Sequence, residues 1–203
     1  MSWTFAQIIV IFTVISSVCM AAPVVSSNNV ARSYLQLLTR DEGSAAAATP
    51  NIMFPENAQL KFSLAAEGTQ NYTCDASTST WVNIGALAHL SNSSLEYDPT
   101  KLVGFHYFVN ETGTLSPEWD LSRSQPNNDG NNFVVATKIG QFTSPDGPQN
   151  VPWLLVQGKE GGLARFVMRA QTKGGVPHTP NCDPSQSAPL LVVPYTSIYI
   201  FFD

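Results

Sequence analysis

The chain has 203 residues and a formal net charge of -5, with 43% hydrophobic but only 12% charged residues. That composition excludes a disordered protein, and the length allows one domain of ordinary size beside a separate N-terminal segment. Without a run of Lys and Arg there is no footprint for a phosphate backbone, so no nucleic acid is expected as a partner.

In chain order, the first element is MSWTFAQIIVIFTVISSVCMAA, uncharged in its side chains and continuously apolar from Ile8 to Val14. It reads as a secretory signal peptide over residues 1–21, with Cys19 and Ala21 at the -3 and -1 positions of the cleavage site. The apolar run is too short to cross a bilayer of ~30 Å, and no later segment qualifies, so no membrane span is expected. Residues 22–50 hold one short helical face at Tyr34, Leu35, Leu37 and Leu38, followed by small residues from Gly43 to Pro50. They are expected to be a flexible N-terminal segment or a pro-segment.

From residue 51 to 203 the pattern changes to short apolar alternations broken by Gly, Pro, Asn and Asp, which predicts a single-domain, all-β, antiparallel sandwich or barrel-like fold with little helix. Leu60, Phe62 and Leu64 alternate with Lys61 and Ser63, as a strand with one buried face requires. Further strands are predicted at Thr69–Cys74, Trp81–Leu87, Gly104–Val109, Asn132–Phe142, Trp153–Gln157, Leu163–Ala170 and Ser197–Phe202. Turn signals fall between them at Asp129-Gly130, Pro145 to Pro148, Gly161-Gly162, Gly174-Gly175 and Asp183-Pro184.

Of three cysteines, Cys19 leaves with the signal peptide, so Cys74 and Cys182 remain. In an oxidising compartment they would form a disulfide closing a loop of roughly 108 residues, worth about 4 to 5 kcal/mol; two buried thiols are the alternative. Three N-x-S/T sequons, at Asn71, Asn92 and Asn110, point to an N-glycosylated exported protein.

Several motifs in order carry a family resemblance: QNYTCD around Cys74, VGFHYF at Val103–Phe108, PEWD at Pro117–Asp120, VPWLLV at Val151–Val156, FVMRAQTKGGVP at Phe166–Pro177, Cys182, and VPYTSIYIFF near the end. Over about residues 52 to 203 the chain resembles the DUF3455 family of secreted fungal and bacterial proteins. The resemblance implies no defined activity; it implies a place at the fungal surface or host interface, since some fungal members are associated with appressoria. The label malate dehydrogenase, carried by some relatives, finds no support, because the chain has no G-x-G-x-x-G turn to approach a pyrophosphate. No cofactor is expected.

Chemistry concentrates in GFHYFVNETGTLSPEWD, residues 104–120. On a strand, His106 shares a face with Gly104 and Phe108, while Phe105 and Tyr107 take the other. An enzymatic reading pairs His106, as general acid or base, with Glu118 or Asp120; a structural reading has its ring donate to a backbone carbonyl. Glu118 and Asp120 are two apart, so they project from one side of a strand rather than flanking a glycosidic bond. No G-x-S-x-G elbow occurs, and His89, His106 and His178 are scattered with no H-E-x-x-H or C-x-x-C, so no metal site is expected. Trp81, Tyr107, Trp119 and Trp153 are the candidate stacking platforms for a glycan, with Trp81 and Trp153 at apolar strands better suited to a core. Arg169, between Met168 and Ala170, is expected to face solvent or pair with Asp120 or Asp75, an anion site being the sharper reading.

The sequence thus predicts a secreted, extracellular or wall-associated glycoprotein, a non-enzymatic binding or surface component that contacts wall or host glycans or proteins. The alternative is a small extracellular hydrolase built on His106. Oligomeric state is left open.

Overall fold

The computed structural model describes residue 55 and residues 57–93, 95–111, 113–126, 130–185 and 190–203. The signal peptide, the segment 22–50, the Asp129 turn signal, and Ser94 and Thr112 of two sequons lie outside the described residues.

Eight strands form the domain: β1 (Leu60–Asp75), β2 (Thr80–Ser91), β3 (Leu102–Glu111), β4 (Thr114–Asp120), β5 (Phe133–Phe142), β6 (Trp153–Glu160), β7 (Phe166–Gly174) and β8 (Leu190–Phe202). Each pairs antiparallel with the next, and β8 pairs back onto β1, so the sheet is a closed up-and-down barrel without a free edge. Among the described residues the one helical element is the 3-10 turn Pro99–Lys101. The two runs predicted at Leu60–Leu64 and Thr69–Cys74 are one long strand, and β4 was not predicted as a strand at all. Pro117 concealed it. Its missing N–H costs nothing here, because β4 pairs with β5 only over Glu118–Asp120.

The period of two then decides what lies inside. Leu64 and Ala66 of β1, Ala86, Ala88 and Leu90 of β2, Trp119 of β4, Val134 and Ala136 of β5, Val156 of β6, Val167 of β7 and Tyr195, Tyr199 and Phe201 of β8 form one core cluster. These side chains fill the lumen, as in a barrel of this strand number with a packed interior. On one wall the outer face is apolar too: Trp153, Leu155, Phe166, Met168, Ala170, Ile198, Ile200 and Phe202 make a second cluster, joined by Ala58, Leu60, Tyr97 and Phe142. Burial on both faces explains why SIYIFF shows no polar alternation.

Glycine is required where strands touch and where the chain turns sharply. A Cβ on Gly68 would stand 2.0 Å from the Leu87 carbonyl oxygen and 2.5 Å from the Ala88 Cα, so β1 and β2 touch here backbone to backbone. Gly174 and Gly175, at φ 73° and 87°, turn the chain out of β7 in the left-handed region. Cys74 and Cys182 lie at disulfide distance, with Cα atoms 5.8 Å apart, tying the end of β1 to the β7–β8 connection. The seam of β1 and β8 is fastened by backbone bonds between Gln59 and Asp203 and by the Lys61–Asp203 ion pair at 2.8 Å.

Candidate functional site

β3 and β4 form a continuous antiparallel ladder in which His106 stands opposite Trp119 and Tyr107 opposite Glu118. The alternation predicted for β3 holds, and it sends the two halves of the hydrolase reading to opposite faces of the wall. His106 points into the barrel, 2% exposed, with its ring stacked on Trp119 at 4.5 Å and set against Tyr199 at 5.0 Å and Phe108 at 5.7 Å. Its Nδ1–H donates to the Glu118 backbone carbonyl at 2.8 Å, a role for which a neutral ring suffices. The carboxylates of Glu118 and Asp120 project outward, so the structure brings them together with each other and not with His106.

Burial drives the His106 pKa down to about 3; the bond to the Glu118 carbonyl opposes that fall and the nearby Arg169 charge adds to it. An unfolded histidine titrates near ~6.5, so below that pH the unfolded chain binds a proton that the folded ring refuses. His106 therefore favours the fold above that pH, and the benefit is lost as pH falls toward 3. His106→Gln should flatten the fall in stability between these limits, read from urea midpoints across pH.

Outside, Tyr107 donates its hydroxyl to Glu118 Oε1 at 3.1 Å, with Asp120 Oδ2 also in reach at 3.4 Å. Beside them opens a groove of about 460 Å³ lined by Glu118, Asp120, Ser122, Pro126, Asn132 and Phe133. Partial burial raises the Glu118 carboxyl, and the negative charges of Asp120, Glu111 and Glu160 raise it further, while the Tyr107 hydroxyl holds it down. Tyr107→Phe removes that donor, so the Glu118 side chain should titrate at a higher pH than in the wild type, measured by carboxyl-selective NMR. Burial and the adjacent carboxylates in turn raise the Tyr107 phenol, which stays a donor at neutral pH.

The remaining candidates divide by burial. Trp119 and Trp153 are 3% and 1% exposed, core residues that offer no face to a sugar. This corrects the expectation for Trp119: it directly faces His106, so the same pleat that buries the histidine buries it. Trp81 and Tyr107 are half-buried on different strands. Arg169 is the second correction. It neither faces solvent nor pairs with Asp120 or Asp75; it shares the inward face of β7 with Val167 and donates to the Pro152 carbonyl. Around it inside the barrel are Gln70, Tyr195, Ser197 and Tyr199, none of which the sequence reading singled out. His89 is exposed beside Tyr97 and Phe105, and His178 is exposed in its loop. Among the described residues no three His, Cys, Asp or Glu side chains gather as metal ligands. Asn92 and Asn110 are exposed, and Asn71 is half-buried on the outward face of β1.

The closed barrel, its packed lumen, the Cys74–Cys182 tie and the outer acidic groove define a small antiparallel β-barrel protein. The chain belongs to the family described as protein of unknown function, DUF3455, which it matches over residues 55–203. Among the curated proteins and among the solved structures nothing matches the chain. No helix of the described residues is long and apolar enough to cross a membrane.

Proposed function

We propose that the protein acts outside the cell, exported by residues 1–21 and N-glycosylated at Asn71, Asn92 and Asn110, as a component of the fungal surface or host interface that binds its partner without transforming it. One observation carries the reading: His106 and the Glu118–Asp120 pair lie on opposite faces of the β3–β4 wall. The acids therefore have no histidine base beside them, and both project from the same side. The cysteine pair supports export, since disulfides persist in oxidising compartments.

In this reading the contact surface is the groove beside Tyr107. Its carboxylates accept hydrogen bonds from the hydroxyls of a wall or host glycan, and Phe133 offers a small apolar face to a sugar ring. The test is a glycan-array and wall-polysaccharide binding assay run beside an assay for released reducing sugar. Saturable binding that Glu118→Gln and Asp120→Asn weaken, with no sugar released, is the expected result. Release of sugar that Glu118→Gln abolishes would establish the hydrolase instead.

A further inference from the structure

The outward face of β8, β1 and β2 carries an apolar patch that the described residues leave open. Strand register sets it in three rows across the sheet: Leu190, Thr73 and Val82; then Val192, Asn71 and Gly85; then Pro194, Thr69 and Leu87. Ile84 stands beside the middle row, at the irregularity where β2 has one residue more than β1. Val82, Ile84, Leu87, Leu190 and Val192 are all exposed. The other large hydrophobic side chains so exposed among the described residues, Leu95, Leu115 and Ile139, lie apart in the loop after β2, in β4 and in β5. Single exposed hydrophobic residues are ordinary, but a contiguous group marks a surface that something occupies. No position in the three rows bears a charge.

Asn71 is the centre of that patch, in the middle row of the middle strand. Tyr72 is buried in the barrel, so the period of two turns both Asn71 and the sequon hydroxyl of Thr73 outward. The Asn71 Oδ1 accepts from Thr69 Oγ1 at 3.1 Å, which orients the amide and leaves Nδ2, the atom that carries an N-linked sugar, outside that bond. The other two sequon asparagines are placed differently. Asn92 is exposed just past the end of β2, and Asn110 is exposed near the end of β3, where its Oδ1 closes a turn by accepting from the Gly113 N–H.

Two occupants compete for such a face. A second copy joined through it by a two-fold axis would bury Asn71 in the contact, where a hydrated glycan has no room. A sugar chain rooted at Asn71 needs no partner. It sets the C–H faces of its rings on the apolar side chains, turns its hydroxyls to water, and brings no charge to a patch without one. We infer that a glycan on Asn71 lies over the β8–β1–β2 face and keeps it from pairing with a second copy of the chain, a role that glycans at Asn92 and Asn110 do not share. The inference rests on the export and N-glycosylation proposed above. Attachment is a group transfer: Nδ2 bonds to C1 of the first sugar as C1 parts from the diphosphate of a lipid-linked donor, and the amide gives up one proton.

The test uses the full chain secreted from a glycosylating eukaryotic host, with site occupancy read by glycopeptide mass spectrometry. Wild type is compared with Asn71→Gln, Asn92→Gln and Asn110→Gln by sedimentation velocity and by fluorescence of a dye that binds apolar surface. Asn71 should be occupied and the wild type monomeric. Asn71→Gln should self-associate and bind the dye at least about twofold more, with Asn92→Gln and Asn110→Gln unchanged. Adding Leu87→Ser and Val192→Ser to Asn71→Gln should restore the monomer. Thr73→Ala, which abolishes the sequon and keeps Asn71, serves as the second variant if Asn71→Gln is not secreted. The inference alone is overturned by an unmodified Asn71 beside an occupied Asn92 or Asn110, by a wild type already dimeric through this face, or by equal self-association in all three variants. It is also overturned by a monomeric Asn71→Gln or Thr73→Ala with unchanged dye binding. Absence of glycan from all three sites would overturn the proposed glycosylation together with it.

Discussion

Gly68→Ala should cost about 3 kcal/mol of folding stability, measured from urea unfolding curves, because overpacking by even one methyl here moves backbone rather than side chains. The added Cβ would overlap the Leu87 carbonyl at 2.0 Å and the Ala88 Cα at 2.5 Å, atoms held in place by the β1–β2 ladder in which Gly68 faces Ala88. Neither neighbour has a rotamer to retreat to, so the strands must part and lengthen hydrogen bonds. Gly140→Ala is the contrast: its Cβ would meet nothing nearer than the Phe142 ring at 3.4 Å. There the extra methyl should be neutral or slightly stabilising, since glycine in a strand costs roughly 0.5 to 1 kcal/mol against alanine. Equal losses at the two positions would refute the close-approach account.

Replacing both Cys74 and Cys182 by serine should remove about 4 to 5 kcal/mol, by the chain-entropy treatment of a tie with a sequence separation of 108 residues. That loss is a large part of the ~5 to 15 kcal/mol that holds a typical domain together. The effect belongs to the unfolded chain, which gains conformations when the cross-link goes, so the folded circular dichroism should be unchanged. The local structure fits this view, because the connection is already docked by backbone bonds from Cys182 to Ser79 and from Trp81 to Pro180. A guanidinium unfolding series on the double variant measures the loss, and a change under about 1 kcal/mol would show that the tie adds little.

Much of the architecture was legible because period-two alternation is a local signal. Gly104, His106 and Phe108 share the inward face of β3 as the alternation requires, and that face makes His106 a structural residue. β4 was hidden for a local reason as well: Pro117 argues against a strand unless its unpaired side is known, and that depends on how far β5 extends. Arg169 was misplaced for a different reason. Its strand is buried on both faces, with Met168 and Ala170 packed outside and Val167 inside, so no polar side existed to guide the assignment. A charged residue in such a strand must face something apolar whichever way it turns, and only the closed barrel shows which. The interior cluster was illegible for the same reason: Gln70, Ser197 and Tyr199 come together through the β1–β8 pairing, between residues more than a hundred positions apart. The choice between sandwich and barrel depended on that pairing too.

The β1–β8 seam also sets an order of events during synthesis. β1 finds its second neighbour only after β8 has been made, so until then the growing chain carries an unsatisfied strand edge and an open lumen. Ribosome-bound intermediates lacking β8 should therefore recruit chaperones and remain sensitive to protease over their whole length. Protection should then arrive in one late step rather than strand by strand.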